Sequence, residues 1–291
     1  MGRVTNEREV LNNIDKVKKW DKKLFFMGLT HHFYNEICGH AKSLTSLSKI
    51  SADQSEGLDT GFTDLGKKVL KKLLDNSNGK RILIDVKHMS VKARNEYYGI
   101  LKNEYAHENI PLIVSHGAVN GWRSAHEKII DNQHTWGKFQ EEDINFFDDE
   151  IVRVAQSGGI FGIQLDERRV GSKSEIKKTK SKMNRRDMLF YKSRLIWNQI
   201  QHIAEILDKQ NLFGWGIQSV GSDFDGMINP LNGFWTAEQM YLLESNLEKH
   251  AFNYLNSPLA TSLKPFNRIN PGEIVDRFMH DNAFGFLQRH F

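Results

Sequence analysis

The sequence predicts an α/β fold on a parallel sheet of the barrel type, and three observations carry that expectation. Short apolar runs alternate with helical patterns along the chain, the order that successive strand–helix units require. Four of the five apolar runs finish on a histidine or an aspartate, as in (β/α)-barrel enzymes, whose working groups converge from the C-terminal ends of several strands. No glycine-rich phosphate loop follows the first run, which counts against a doubly wound nucleotide-binding sheet.

In chain order the runs are Leu24–Thr30, Ile82–Val86, Pro111–Ser115, Gly159–Leu165 and Trp215–Val220. Short, nearly continuous apolar runs of this kind are expected of buried parallel strands. After the first run, Leu65, Val69, Leu70, Leu73 and Leu74 make one apolar stripe at helical spacing. Thr63 or Asp64 can cap that helix, and Gly79 follows its end. Helical patterns also cover Val91–Tyr105, Glu141–Gln156 and Arg186–Lys209. Pro271–His290 closes the chain as a helix, with Ile274, Phe278, Phe284 and Leu287 spaced for packing. No internal repeat and no Pro/Ser-rich linker interrupts the pattern, so residues 1–291 are expected to form one domain.

With 39% hydrophobic and 26% charged residues, the chain is globular and not disordered. No apolar run approaches the roughly 18 residues of a transmembrane helix. The polar stretch MGRVTNEREVLNNIDKVKKW has no apolar core for a signal peptide. A soluble, cytoplasmic protein is the default expectation. The single cysteine, Cys38, excludes an internal disulfide and a Cys-rich zinc site. Any metal site must therefore come from the twelve histidines and the carboxylates. The net charge of +4 is local: Asp166–Arg186 holds nine basic and three acidic residues, which leaves the remainder slightly negative. This basic stretch, residues 166–186, reads as a loop, either solvated or closing over an anionic substrate group. Aromatic residues do not interleave with its charges, so nucleic-acid binding is not expected.

The candidate site residues sit where the runs end. In RILIDVKHMS, alternation places Ile82, Ile84, Val86 and His88 on one face, and in PLIVSHG it places Leu112, Val114 and His116 on one face. Neighbouring parallel strands lie about 4.8 Å apart, so both imidazoles can reach one ion; neutral imidazole suits zinc. GSDFDG sets two carboxylates on a tight glycine-bracketed turn, with Asp223 nearer the strand end and Asp225 suited to capping the turn. An aspartate beside an activated water can take its proton and return it to a leaving group. The same string is also that of a plain Asx-turn. LTHHFYNEICGH carries three histidines: His31 ends the strand, while His32 and His40 fall in the loop. One of the His31/His32 pair can donate to a substrate oxygen, and Asn35 and Glu36 are close enough in sequence to orient it.

Taken in order, LTHHFYN, the GFTDLGKKVLKKLL helix before ILIDVKHMS, PLIVSHGA, GSDFDG and the final DNAFGFL resemble the membrane (renal-type) dipeptidase family of zinc peptidases, from about Leu24 to the C-terminus. The resemblance implies a (β/α)8 barrel with two zinc ions at its C-terminal mouth, hydrolysing dipeptides and often tolerating a D-residue at the C-terminal position. It implies His88 and His116 as zinc ligands and Asp223 as the proton carrier around the reactive water. It implies His31 as the residue that contacts substrate and steadies the tetrahedral oxyanion. Arg123 is the nearest match to the family's substrate-carboxylate arginine, although it comes a few residues early.

The departure is at the N-terminus. The family's remaining ligands, a His-x-Asp pair and a bridging glutamate, lie upstream of the LTH strand, and here no histidine precedes His31. Glu7 and Glu9 sit in a polar stretch that reads as a helix start. The expectation is an incomplete barrel comprising the last five strand–helix units. Such a chain holds at most one zinc, weakly, and alone has little or no dipeptidase activity. Its open sheet edges invite a homo-oligomer or a missing N-terminal segment. Rival readings are an inactive remnant with a structural or binding role, and another barrel metallo-amidohydrolase acting on a cyclic amide. Manganese or another divalent ion is an alternative to zinc.

Overall fold

The computed structural model describes residues 6–44, 52–180 and 184–291. Its fold is mixed α/β with a parallel sheet of five strands: β1 (Phe26–Gly28), β2 (Leu83–Asp85), β3 (Ile113–Gly117), β4 (Ile160–Ile163) and β5 (Gln218–Val220). Each strand lies in an expected apolar run, with β3 reaching two residues further, to Gly117. The chain divides into two compact units, Met1–Val114 and Ser115–Phe291, and β3 carries the division.

The described residues of the first unit hold three α-helices, α1 (Glu7–Lys18), α2 (Asp64–Leu74) and α3 (Val91–Glu104). The acidic stretch is indeed a helix start: Asn6 caps α1 by accepting from Glu9 N, with Glu7 and Glu9 in the first turn and Lys16 and Lys18 in the last. This charge order complements the helix dipole. Thr63 is the cap of α2, accepting from Gly66 N at 2.9 Å. The α2 stripe buries Val69, Leu70, Leu73 and Leu74, as its spacing requires. Ser90 caps α3 through Ala93 N at 3.0 Å. In the sheet, Phe26, Met27 and Gly28 of β1 stand opposite Leu83, Ile84 and Asp85 of β2, and Asp85 stands opposite Ile113.

The described residues of the second unit hold seven α-helices: α4 (Asp148–Gln156), α5 (Glu167–Val170), α6 (Lys173–Lys180), α7 (Arg185–Lys209), α8 (Met240–Leu255), α9 (Pro271–Asp276) and α10 (Asn282–His290), of which α4 and α10 lie against the strands β4 and β5. Four differences from the sequence reading have physical causes. Residues 141–147 are not helical: Phe146 N donates to Ala118 O, Asn120 N donates to Phe146 O, and the apolar Ile144, Phe146 and Phe147 are buried in that pairing. The helix begins only at Asp148, where Glu150 accepts from Phe147 N at 3.1 Å. The stretch 166–186, expected as a loop, is largely helical where it is described, and three of its cations meet acids there: Arg168 pairs with Asp166, the buried Arg169 with Glu142, and Lys178 with Glu175. Helix α8 has no counterpart among the helices expected from the sequence, although Leu243, Leu247, Ala251 and Tyr254 form its buried stripe. In the last helix, a π turn at Arg277–Asp281 shifts the phase, so Phe286 is buried while Phe284 and Leu287 are exposed.

Two interior features of this unit position β5. Asn282 donates to the carbonyls of Trp215 and Gln218 at 2.9 and 2.8 Å, which ties α10 to the strand. Trp197 stacks on Trp215 at 6.3 Å between centroids and meets Tyr254 at 5.9 Å, which ties α7, β5 and α8 together. At the strand ends the backbones approach closely. A Cβ at Gly162 would lie 2.2 Å from Ser115 O and 3.0 Å from Gly221 Cα, and a Cβ at Gly221 would lie 2.2 Å from Ser115 O. Because the obstruction is backbone, Gly162→Ala is expected to lower unfolding stability by roughly 1–3 kcal/mol or more, read as the urea midpoint; an unchanged midpoint contradicts the close approach.

His250 gives this unit a pH dependence. Burial pushes its imidazole down to about 4, with Arg194 and Lys249 adding to the shift and the bond to Phe190 O opposing it. The unfolded chain therefore takes up a proton that the folded unit refuses, and stability falls as pH drops from about 6.5 towards 4. The loss across that window is roughly 3 kcal/mol, and denaturant midpoints in His250→Gln should decline less over the same range.

Candidate active site

In the first unit the β1–β2 register extends into the turns that follow. Gly28 pairs with Asp85, so three residues on along each chain stand His31 and His88. Their rings are 4.3 Å apart between centroids, and His32 joins them at 3.8 Å from His31 and 5.2 Å from His88. One donor nitrogen from each of the three lies within 4.8 Å of the others, a spacing that can hold a metal ion. His88 is buried, His32 half-buried and His31 exposed. His88 does not continue the β2 pleat: it lies in the turn after the strand, with φ 69°. Its carbonyl accepts from Ala41 N at 2.9 Å, and Ser90 N donates to Gly39 O at 3.1 Å, which holds that turn against the loop of residues 37–43.

The loop is folded by its own polar side chains. Asn35 donates to Leu29 O at 2.6 Å and accepts from Ile37 N at 3.1 Å, bending the chain back over the end of β1. The ring of His32 is held at Nδ1, 2.8 Å from Ser43 Oγ. Gln54 supports that hydroxyl at 2.9 Å while also donating to His32 O. His40, expected in the loop, is fully buried with its two ring nitrogens against the carbonyls of Ala41 and Glu56, so it serves the fold. Partial desolvation, with the charge of Lys87 adding to it, lowers the His31 imidazole from its ordinary range. Cys38 offers no nucleophile, because burial pushes its thiol up to about 12.

In the second unit His116 is part of β3, as alternation requires, with Nδ1 2.7 Å from Ser115 Oγ. Its Nε2 lies 3.9 Å from Asp223 Oδ2, and both side chains are partly exposed. Asp223 sits in the turn after β5 with φ 57°, and its carbonyl accepts from Gly226 N and Met227 N. Asp225 is exposed, which leaves Asp223 as the acid turned towards β3. Arg123 is held elsewhere in this unit by Asp131, through Nη2 at 2.6 Å, and by Glu127, through Nη1 at 2.8 Å. A substrate carboxylate at Arg123 would compete with both acids.

Sequence reasoning did not single out Asp166. It is buried after β4, caps α5 through Arg168 N at 2.9 Å, takes the Arg168 guanidinium, and accepts from Ile228 N at 3.2 Å. It thereby anchors the segment that follows Asp223. The available signal was its place, since Asp166 directly follows the fourth apolar run.

No family model matches the chain, and no curated protein matches it. Among solved structures, an amidohydrolase from Pseudomonas aeruginosa is similar over 99% of this chain and 70% of its own, at 14% identity and a TM-score of 0.52. The probable dipeptidase PvdM from Pseudomonas aeruginosa is similar over 92% of this chain and 66% of its own, at 17% identity and a TM-score of 0.49. A metallopeptidase from Rhodobacter sphaeroides, liganded with a phosphinate mimic of the dipeptide L-Ala-D-Ala, is similar over 80% of this chain and 49% of its own, at 16% identity and a TM-score of 0.46. The structural neighbours are thus dipeptidases and an amidohydrolase, and the likeness to the amidohydrolase is one of fold. The chain spans about half the length of the Rhodobacter enzyme and about two thirds that of PvdM. No helix among the described residues is long and apolar enough to cross a membrane.

Removing the buried anchor tests this arrangement. Asp166→Ala strips a charged acceptor from Arg168 and from the amide of Ile228, a loss of roughly 1–3 kcal/mol. Amides of residues 226–229 should exchange faster in that variant, while those of β1 and β2 keep their protection.

Proposed function

We propose that the chain is a metal-dependent hydrolase acting on the amide bond of small dipeptide-type substrates. The observation that carries the reading is the group of three imidazoles with ligand nitrogens within 4.8 Å, around the strand-end His88. The donor set fits the ion: imidazole suits zinc and related transition metals. The His116–Asp223 approach and the fold likeness to an amidohydrolase support the same reading.

The roles follow the resemblance. In that resemblance His88 and His116 are the metal ligands, and the ion is zinc. When bound, it polarises the substrate carbonyl and lowers the pKa of the attacking water. The Asp223 carboxylate accepts a proton from that water and returns it to the departing amine. His31 donates to the carbonyl oxygen as negative charge builds there. Arg123 binds the substrate carboxylate after exchanging one of its two acidic partners. A cyclic amide is the rival substrate, for which the same residues keep the same roles.

The test is hydrolysis of a dipeptide panel, including D-residues at the C-terminal position, with a cyclic amide beside it. Slow turnover is expected that is lost on chelation and restored by zinc. Asp223→Asn should lower it roughly 100-fold or more, with His88→Ala at least as damaging. Turnover that survives chelation contradicts the reading, as does a folded, zinc-loaded chain that cleaves nothing in the panel.

A further inference from the structure

We infer that His31, His32 and His88 form a mononuclear transition-metal site belonging to the first unit alone. The inference shares His31 and His88 with the proposed function and goes beyond it, since it makes His31 and His32 ligands, in place of the oxyanion role for His31, and does not require His116.

The sheet register carries it. Parallel pairing of Gly28 with Asp85 is backbone geometry, and it brings the third residue beyond each strand to the same level. One of those residues is His31 and the other is His88. The left-handed backbone at His88 turns the chain there, and the Ala41 N bond to its carbonyl keeps it turned. His32 follows His31 directly, and its ring stands 3.8 Å from that of His31. Adjacent residues on a continuing strand would point to opposite faces; the strand has ended at Gly28, which allows both rings to converge on His88.

Ser43 and Gln54 are positioning residues. The 2.8 Å approach of Ser43 Oγ to His32 Nδ1 holds the ring at the nitrogen next to the backbone. Gln54 steadies that hydroxyl, and its own Oε1 accepts from Ser43 N and Leu44 N. Metal-ligating imidazoles are held in this way, by a partner on the far nitrogen. Tetrahedral zinc with Zn–N of about 2.0–2.1 Å needs donors about 3.3 Å apart. The nitrogens already lie within 4.8 Å, so side-chain rotation closes the set without moving the strands. Three imidazoles and no carboxylate select zinc, cobalt, nickel or copper over magnesium and calcium, which take oxygen donors.

The experiment is titration of the chelator-stripped, full-length chain with zinc by calorimetry and with cobalt by visible absorption, magnesium serving as the control ion. One zinc per chain is expected, with the intense absorption of tetrahedral cobalt and no magnesium heat. His31→Ala, His32→Ala and His88→Ala should each weaken zinc by at least about 100-fold, and Ser43→Ala by about 10-fold. His116→Ala should leave the affinity within about threefold of the parent, because no donor is removed. Folding is checked by circular dichroism; if His32→Ala does not fold, His32→Gln and Ser43→Ala decide. Parent-like zinc binding in the folded His32 variant, or loss of binding in His116→Ala, overturns the inference. His32-dependent binding without hydrolysis keeps this site and removes the proposed function. Hydrolysis that responds to His116 and ignores His32 does the reverse.

Discussion

In the second unit, the carbonyl of Ser115 occupies the space that a side chain at Gly162 or Gly221 would need. Two glycines at this level let three strand ends approach until backbone touches backbone. The consequence is chemical as well as steric. His116 is the next residue after Ser115, and Asp223 lies two beyond Gly221, so the approach sets the 3.9 Å separation of imidazole and carboxylate. The outer supports act on the same point. Asn282 grips the carbonyls of Trp215 and Gln218 at the start of β5. Asp166 holds the backbone just after the Asp223 turn.

The first unit uses a different device. Register alone brings His31 level with His88, and a turn with positive φ then redirects the His88 ring. A left-handed conformation costs a residue with a side chain roughly 1–2 kcal/mol. Both His88 and Asp223 adopt it, and both are held by backbone hydrogen bonds on either side. Residues kept in such conformations by their surroundings gather at functional sites. His40 is the contrast within the same unit: its ring bonds only carbonyls in a closed interior, and it has no part in the donor cluster.

Charge was the least informative part of the sequence. The basic stretch reads as a loop, solvated or closing over an anionic group, yet two of its arginines are consumed locally. Arg169 is buried against Glu142 and Arg168 against Asp166. Arg123 likewise spends its guanidinium on Asp131 and Glu127. Counting charges cannot distinguish a cation awaiting a ligand from one already paired, because pairing partners lie far apart in sequence, 27 residues for Arg169 and Glu142 and 61 for Lys68 and Glu7.

What the sequence determined by itself was the alternation of elements and the chemistry at their ends. Apolar runs located all five strands, the α2 stripe and its Thr63 cap followed from spacing, and His31, His88, His116 and Asp223 were visible as polar residues just past buried runs. These are local properties, set by side-chain period and capping. The tertiary structure decided three things that period cannot encode. It brought His32 to the same side as His31, because the pleat had already stopped. It moved the buried face of the last helix from Phe284 and Leu287 to Phe286, because one π turn rotates everything after it. It turned residues 141–147 away from helix and onto the chain after β3, because pairing the Phe146 backbone with Ala118 and Asn120 and burying Ile144 and Phe146 outweighs a helical pattern there.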